Sequence, residues 1–467
     1  MSERPRGAFP LVQLLDLIGV AAILLALTVY LTGGFREWTP VGRISVTSWT
    51  RPLILALALL TFRHWLMPRP TVVTRTIDAI RALRSVAGVR EALPIVISTR
   101  FGVLVAGFLA ISLFGYRTDV NVPWRVYENE FLNLPARWDT GWYLGVASSG
   151  YDWAGGARES QQRNIAFFPL YPMLMRYGSL LLARDAMWTG VVIAWVSFFG
   201  ALVYLFRMAR DRFGADQALA GIALLASYPF AFFYSTAYTE SLFLLTMVGA
   251  CYHFERKQLW QAAVWGVACG LTRPNGCLLS IVLALMVLRD AWPLPDRAGW
   301  VALVDRLAVA ATPGLGMLMF STYIYFLTGN PFQWIVQNAA WGRVYRGLDT
   351  FVTQQAQTIG QEGLYVYAAT RTLDAVQLVA VLFVVVSIIP VFRRLGVAYG
   401  ALILVNLIPP LLMGGLLSMG RVTSILFPTF LWLGSAVPPP HRVAWLTLFA
   451  FLQAVLAGVF FTWRPLY

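Results

Sequence analysis

A loop near residues 116–166 has a high density of side chains that could act on a sugar or a phosphate. It contains six acidic and five basic residues, interleaved with Trp and Tyr. Aromatic faces can cover sugar rings, carboxylates can accept a hydroxyl proton, and arginines can bind phosphate oxygens through paired hydrogen bonds. An aromatic belt at the membrane interface with surface charges around it would give a similar composition. The composition of the loop leaves both interpretations open.

Three later groups of polar residues interrupt apolar stretches. Glu240 begins a predicted helix, where the helix dipole favours a carboxylate by about 0.3–1 kcal/mol. An acid at the edge of a membrane is also costly enough to suggest a function. Arg273 and Asn275 lie at a break between two apolar helices, and Arg421 precedes another. For both arginines, a side chain that extends to the membrane surface is an equally simple explanation.

The overall composition predicts a polytopic integral membrane protein. Of the 467 residues, 58% are hydrophobic and only 12% are charged, about half of the ~25% found in soluble domains. This composition excludes an ordinary soluble enzyme, a disordered protein and a secreted disulfide scaffold. The three cysteines and three histidines are too scattered to predict a disulfide framework or a zinc centre.

Apolar runs predict 11 to 13 membrane crossings, nearly all helical, because a crossing needs about 20 apolar residues and lipid does not tolerate unpaired backbone groups. The predicted spans lie near residues 11–31, 45–62, 101–116, 188–206, 216–235, 239–254, 259–272, 275–288, 307–327, 373–392, 396–414, 422–436 and 443–461. Residues 1–95 are expected to form a two-helix extension with a basic cytoplasmic segment, and residues 96–467 the main transmembrane domain.

The distribution of arginine predicts the orientation. Seven arginines from Arg63 to Arg100, opposed by two acids, predict a cytoplasmic segment between the second and third spans. The nearly neutral loop at 116–166 and a second loop at 328–372 are then extracytoplasmic. This arrangement requires residues 167–182 to lie at the membrane interface. If they cross the membrane instead, the arginine cluster that begins at Arg207 would face outward.

Several motifs, in order along the chain, resemble the PIG-V family of membrane mannosyltransferases, which belongs to the GT-C superfamily. The motifs are Arg137-Trp138-Asp139, Gly150-Tyr151, the run at 166–172, Tyr238-Thr239-Glu240-Ser241-Leu242-Phe243 and Thr272-Arg273-Pro274-Asn275-Gly276. The resemblance covers about residues 100–435. It implies an all-α, GT-C-like fold with a large first extracytoplasmic loop that carries juxtamembrane helices.

The resemblance also implies an activity. Such enzymes transfer a hexose, here mannose, from a polyprenyl-phosphate donor to an acceptor hydroxyl on the extracytoplasmic face, with inversion. Asp139 matches the acid that serves as candidate general base, and Glu240 and Arg273 match the acid and the arginine of the later motifs. The expected substrate-binding residues are Arg137, Trp138, Tyr151, Glu240, Arg273, Asn275, Arg343, Arg346 and Arg421.

Glu128 and Glu130 are the alternative acids, because carboxylates two residues apart resemble the metal-binding Asp-x-Asp motif of nucleotide-sugar enzymes. That motif needs a soluble nucleotide-binding domain, for which the chain has no room, so we expect no metal and no cofactor beside the lipid-linked donor. The expected partners are a polyprenyl- or dolichyl-phosphate sugar, a lipid or glycan acceptor and membrane lipids, without nucleic acid. The use of arginine in place of lysine indicates a bacterial cell membrane rather than the endoplasmic reticulum.

A transporter or lipid flippase is the alternative function. An acid within the membrane at Glu240 and a broken helix near Pro274 would suit a transporter. The enzyme is favoured because the two halves of the sequence show no inverted repeat and the acids are concentrated in one outward loop. The sequence leaves the sugar and the acceptor open.

Overall fold

The computed structural model describes residues 8–39, 42–117, 124–153, 161–182, 184–290 and 297–466, and helices dominate it. The first half contains α1 Ala8–Thr32, α2 Thr50–Leu66, α3 Val72–Ser85, α4 Val89–Phe114, α5 Thr140–Ser149, α6 Leu170–Ser179, α7 Ala186–Phe213, α8 Ala215–Ser227, α9 Glu240–Glu255, α10 Leu259–Thr272 and α11 Leu279–Asp290. The second half contains α12 Arg297–Ala310, α13 Thr312–Thr328, α14 Gln333–Gln337, α15 Leu348–Glu362, α16 Leu364–Thr370, α17 Thr372–Leu395, α18 Val397–Gly414, α19 Met419–Ser424, α20 Phe427–Ala436 and α21 Pro439–Phe461. Short 3₁₀ helices span Asn164–Ala166, Pro229–Ser235, Pro274–Leu278 and Asn338–Trp341.

Several helices are long and apolar enough to cross a membrane, which confirms the predicted all-α polytopic class. Among the described residues, six single helices meet this criterion, namely α1, α4, α7, α17, α18 and α21. Two bent pairs meet it jointly, α8 with the 3₁₀ helix at Pro229–Ser235 and α12 with α13. Every predicted span coincides with one or more helices. However, α9, α10, α11 and α20 are only 10 to 16 residues long, so the number of crossings stays a prediction.

Helix α6 is too short to cross the membrane. Its ten residues extend over about 15 Å at 1.5 Å per residue, half of the ~30 Å hydrocarbon thickness. Because α20 is equally short and coincides with a predicted crossing, the placement of residues 167–182 at the membrane interface stays a prediction.

The third predicted span differs most from its helix. Helix α4 begins at Val89, twelve residues before the predicted start, and it includes Arg100. Arg100 is fully buried, and its guanidinium donates hydrogen bonds to the carbonyls of Ala226, at 2.6 Å, and Ala231. The predicted span began only after Arg100 because a prediction from apolar runs excludes charged residues. It does not include the hydrogen bonds to backbone carbonyls that make burial of this charge tolerable.

The N-terminal extension contains a β-hairpin that the sequence patterns did not predict. Strands β1 (Phe35–Thr39) and β2 (Gly42–Val46) pair in antiparallel fashion, with Phe35 opposite Val46. Helices α1 and α2 pack against each other. Arg63, which the topology analysis placed at the start of the cytoplasmic segment, lies within α2 and is 1% exposed.

The main core surrounds the bend after α8. All seven residues of the 3₁₀ helix at Pro229–Ser235 are buried, and this segment packs against α4, α7, α19 and α21. The bend turns the chain by 79° and leads directly into the start of α9. The first residue of α9, Glu240, is thus placed deep in the core, beside the loop that precedes α5.

Candidate functional site

Asp139 lies immediately before α5 and is held through its backbone. Its N–H donates to the hydroxyl oxygen of Tyr238 at 3.0 Å, and this hydroxyl in turn donates to the carbonyl of Arg137 at 3.4 Å. The preceding residue, Trp138, has φ +46°, a left-handed conformation that non-glycine residues rarely adopt and that often occurs at functional sites. Tyr238 therefore joins the first motif to the Tyr238-Thr239-Glu240 motif.

Arg421 bridges two carboxylates that are far apart in the sequence. Its Nη1 donates to Oδ2 of Asp139 at 2.6 Å, and its Nε donates to Oε1 of Glu240 at 2.7 Å. Arg273 donates from Nη1 to the same Oε1 at 2.7 Å. We call Asp139, Glu240, Arg273 and Arg421 the ion cluster. The four residues come from separate sequence motifs, and each was predicted to belong to the site.

Among the described residues, two carboxylate oxygens of the ion cluster have no protein partner. Glu240 is fully buried, and its Oε2 receives no hydrogen bond from the described part of the chain. The side chain of Asp139 is 24% exposed, and within the described part of the chain no donor contacts its Oδ1. A buried carboxylate needs charge partners to remain ionised, and Arg273 and Arg421 provide them for Glu240. Asp139 keeps one oxygen available to a molecule that enters the site.

Arg343 adds a third positive charge beside the ion cluster. Burial, together with repulsion from Arg421 and Arg273, lowers the pKa of Arg343 to about 10, while attraction to Asp139 opposes the shift. No side chain in the described ranges accepts a hydrogen bond from its guanidinium. Three arginines thus surround two carboxylates, and this excess of positive charge favours the binding of an anion.

Aromatic and hydroxyl groups line the ion cluster. The guanidinium of Arg421 lies 5.0 Å from the ring centre of Phe233 and 4.8 Å from that of Tyr238, distances at which cation–π attraction operates. The hydroxyl of Tyr143 lies 3.2 Å from Oγ1 of Thr239. Burial, together with the charges of Glu240 and Asp139, raises the pKa of Tyr143 to about 12, while the charges of Arg421 and Arg273 oppose the shift. Tyr143 therefore stays protonated and can donate a hydrogen bond.

The sequence analysis did not select Tyr143 or Phe233 as site residues. Tyr143 lies four residues after Asp139, so both side chains face the same side of the first turn of α5. That spacing was a usable signal. Phe233 lies in an apolar run and has no such signal.

Two predicted binding residues contact the C-terminal helix and not the ion cluster. Arg137 is 1% exposed and donates to the carbonyls of Phe461, Asn133 and Ala136, each at 2.8 Å. The ring of Trp138 lies 5.0 Å from that of Trp463. These contacts fix the loop that carries Asp139 against the end of α21.

Tyr151 and Asn275 also bind other parts of the protein. The hydroxyl of Tyr151 donates to the carbonyl of Phe167 at 2.7 Å. Nδ2 of Asn275 donates to Oδ1 of Asn406 at 2.7 Å, which connects the break after α10 to α18. Asn275 thus lies two residues from Arg273, but its side chain binds Asn406 and not a residue of the ion cluster.

The remaining predicted residues are near the surface. Arg346 is exposed, and its backbone N–H donates to the carbonyl of Leu412 at 2.9 Å. Glu128 is exposed, whereas Glu130 contacts Arg125 and Tyr116. Among the residues described, no three His, Cys, Asp or Glu side chains form a group that could hold a metal ion.

Residues 119–293 match the family model "Mannosyltransferase (PIG-V)". A comparison with curated proteins finds no match.

Three solved structures to which this chain is similar are those of larger proteins. ArnT from Cupriavidus metallidurans, bound to undecaprenyl phosphate, has a TM-score of 0.44 and 14% identity, over 77% of this chain and 63% of that one. The oligosaccharyltransferase of Archaeoglobus fulgidus, in complex with zinc and sulfate, has a TM-score of 0.41 and 14% identity, over 78% and 53%. AglB from the same organism, with an inhibitory peptide and a dolichol phosphate, has a TM-score of 0.40 and 13% identity, over 78% and 56%. The chain thus spans 53 to 63% of their length.

The family match lies within the part of the chain, about residues 100–435, over which the sequence motifs resemble this family. The matched segment contains Asp139, Glu240 and Arg273, three of the four residues of the ion cluster. Residues 119–293 therefore match the mannosyltransferase (PIG-V) family that the sequence motifs resemble.

Proposed function

We propose that this protein is a membrane glycosyltransferase. It transfers a hexose, mannose, from a polyprenyl-phosphate donor to an acceptor hydroxyl on the extracytoplasmic face, with inversion at the anomeric carbon. The observation that carries the proposal is the pair of charged hydrogen bonds that Arg421 donates, one to Asp139 and one to Glu240. It joins a partly exposed carboxylate to a strongly positive site, next to a segment that matches mannosyltransferases.

The arginines provide the binding site for the donor phosphate. Arg273, Arg343 and Arg421 carry one positive charge more than Asp139 and Glu240 neutralise. A phosphate monoanion or dianion would satisfy this excess through charge-assisted hydrogen bonds. When the sugar is transferred, negative charge develops on the departing phosphate, and fixed guanidinium groups stabilise that charge in the transition state.

Asp139 provides the general base. Arg421 holds Oδ2, which orients the carboxylate and leaves Oδ1 for the acceptor. The acceptor hydroxyl gives its proton to Oδ1 while its oxygen attacks the anomeric carbon on the face opposite the phosphate. The bond from the anomeric carbon to the phosphate oxygen breaks, and polyprenyl phosphate departs with the electron pair. A single displacement of this kind inverts the anomeric configuration.

The remaining features of the proposal rest on chemistry and composition. Mannose is proposed because the matching family model is one of mannosyltransferases. The donor carries a single phosphate that the arginines can neutralise, so the reaction is proposed to need no metal and no cofactor. Multiple apolar helices place the protein in a membrane, and the preference for arginine over lysine favours that of a bacterial cell.

The test is a transfer assay with purified protein in nanodiscs. Radiolabelled polyprenyl-phosphate-mannose and a membrane lipid extract should give labelled acceptor. Asp139→Asn should lower the rate about 10²–10⁴-fold, the usual contribution of a general base, without a change in melting temperature. Glu128→Gln removes an exposed acid from the same loop and should leave the rate unchanged. Near-normal turnover of Asp139→Asn would contradict the assignment of the base. Flux of the donor across sealed vesicles without transfer would support a transporter instead.

A further inference from the structure

Helix α3, in the N-terminal extension, has a face that the described part of the chain leaves uncovered. Val73 is 69% exposed and Ile77 is 43% exposed, and Arg84 is exposed as well. At 3.6 residues per turn these three positions lie within about 40° of one another around the helix. We call Val73, Ile77 and Arg84 the outer face of α3. This face is apolar along the first turns of the helix and basic at its end.

Both ends of α3 are tied to neighbouring helices. Before α3, the guanidinium of Arg63 in α2 donates to the carbonyls of Met67 and Pro70. After α3, Nε of Arg207 in α7 donates to the carbonyl of Ala87 at 2.9 Å. Helix α3 also packs against α4. The helix is therefore held at the ends of α2, α4 and α7.

A salt bridge fixes the rotation of α3 about its own axis. Nη1 of Arg75 donates to Oδ2 of Asp16 in α1 at 2.9 Å. Position 75 lies about 160° around the helix from position 73. Since Arg75 points towards α1, Val73 points away from it. The outer face is thus turned to the surroundings by contacts on the opposite side of the helix.

The neighbouring residues place α3 at the surface of the bilayer. Trp65, in the last turn of α2, is 76% exposed and stacks on Phe62 with 6.1 Å between the ring centres. Exposed tryptophans at helix ends are typical of the membrane–water interface. Helix α4, which is long and apolar enough to cross the membrane, begins at Val89. Helix α3 lies between these two points, on the side that the arginine distribution predicts to be cytoplasmic.

The segment around α3 carries an excess of positive charge. Residues 69–90 contain five arginines and one acid. That acid, Asp78, lies 3.5 Å from Arg81 in an exposed pair, which contributes little attraction. Arg84 and Arg90 are exposed, and no acid among the described residues pairs with either of them. Anionic headgroups would supply the missing counter-charge.

We propose that the outer face of α3 lies in the headgroup region of the cytoplasmic leaflet and binds anionic phospholipids. Val73 and Ile77 enter the boundary between headgroups and acyl chains, as the apolar face of an interfacial helix does. The guanidinium groups of Arg84 and Arg90 donate charge-assisted hydrogen bonds to lipid phosphates. A zwitterionic lipid carries its own cation, so a lipid with net negative charge is preferred. This surface is separate from the ion cluster, and the proposal does not depend on sugar transfer.

The first test measures the depth of α3 in the membrane. The full chain, with Cys277→Ser to remove the one native cysteine that is not buried, is placed in nanodiscs of phosphatidylcholine and phosphatidylglycerol. A spin label at Val73→Cys should collide mainly with oxygen, which concentrates in lipid. A label at Asp78→Cys, about 140° away around the helix, should collide mainly with a water-soluble nickel complex. Equal access of nickel to both labels would contradict the proposal. A Val73→Cys label shielded from both reagents would indicate a protein partner and would also contradict it.

The second test measures the preference for anionic lipid. Native mass spectrometry of the full chain, with phosphatidylglycerol and phosphatidylcholine added together, should show more bound phosphatidylglycerol. Arg84→Gln and Arg90→Gln should each lower this preference about 5-fold, the usual contribution of one arginine near an anionic surface. Arg393→Gln removes an exposed arginine from the last turn of α17 and is the matched control, with an expected change below 2-fold. Equal losses in all three variants would overturn the assignment to α3.

A further variant separates this inference from the proposed function. Asp139→Asn should lose transfer and keep the full preference for phosphatidylglycerol. A preference that persists in a protein without detectable transfer would support the lipid surface while it contradicts the glycosyltransferase. Transfer by a protein that does not distinguish the two lipids would have the opposite meaning.

Discussion

Two of the networks of arginine and carboxylate among the described residues differ in how completely they are paired. In the N-terminal extension, Asp16 accepts from Nε of Arg63 at 2.6 Å and from Nη1 of Arg75 at 2.9 Å. The remaining donors of Arg63 bind the carbonyls of Met67, at 2.8 Å, and Pro70, at 2.5 Å. Both oxygens of Asp16 and all three guanidinium nitrogens of Arg63 are therefore engaged.

The ion cluster is open by comparison. Within the described ranges, no donor contacts the buried Oε2 of Glu240 or one carboxylate oxygen of Asp139. Arg343 adds a charge that no described carboxylate pairs directly. A fully paired network fixes helices to one another and has no capacity for a ligand. An unsaturated network with excess positive charge is arranged to bind an anion and to accept a proton.

The largest effect is expected when the central arginine of each network is removed. Arg421→Gln should abolish transfer and lower the free energy of unfolding by about 3–5 kcal/mol, because Glu240 stays buried with a single charge partner. Arg63→Gln should destabilise the N-terminal extension, since Asp16 retains only Arg75, yet the folded protein should keep its turnover number. Melting temperatures and transfer rates of both variants test the difference. A transfer rate for Arg421→Gln equal to that of Arg63→Gln would show that both networks are merely structural.

A smaller effect is expected at the edge of the ion cluster. Arg343→Gln should raise KM for the lipid-linked donor about 10-fold or more, since a hydrogen bond to a charged group contributes roughly 1.5–3 kcal/mol. Arg346→Gln, three residues later, removes an exposed arginine and serves as the matched control. Steady-state kinetics with variable donor would measure both. Equal effects of the two substitutions would mean that Arg343 acts only through the overall positive field.

The smallest effect on transfer is expected from Asn275→Ala. This substitution leaves the amide oxygen of Asn406 without its partner in a buried position, which should cost about 1–3 kcal/mol of stability. The donor KM should change less than 2-fold, because the side chain of Asn275 binds Asn406 and not Arg273. A large rise in KM with unchanged stability would mean that Asn275 takes part in donor binding together with the ion cluster.

Much of the fold and of the site could be predicted from the sequence. Every apolar run that predicted a crossing coincides with a helix or a broken helix, because hydrophobic length is a strong signal. The four residues of the ion cluster were all selected: Asp139 from the polar loop and the family motif, and Glu240, Arg273 and Arg421 because each is a charged residue at the edge of an apolar helix. Charge is costly there unless partners exist, so such residues tend to be paired with one another.

The pairing itself could not be predicted. Arg100, Arg137 and Arg421 all border or interrupt apolar segments, yet Arg100 and Arg137 bind backbone carbonyls and only Arg421 binds carboxylates. Which partner an arginine meets depends on contacts between residues more than 100 positions apart. The bend at Pro229–Ser235 presents the carbonyls that Arg100 binds, and hydropathy does not report the angle of a bend.

The most direct test of the central claim is rescue of a variant that lacks the base. In Asp139→Gly, donor cleavage should be slow in buffer alone. Sodium azide should raise the rate of donor cleavage by at least roughly tenfold, out of the 10²–10⁴-fold that the loss of the base removes. Azide can do so because it attacks the anomeric carbon without having to lose a proton. The product should be a mannosyl azide whose anomeric configuration is opposite to that of the donor. Absence of rescue, or a mannosyl azide with the donor's configuration, would contradict the role of Asp139 as general base in a single inverting displacement.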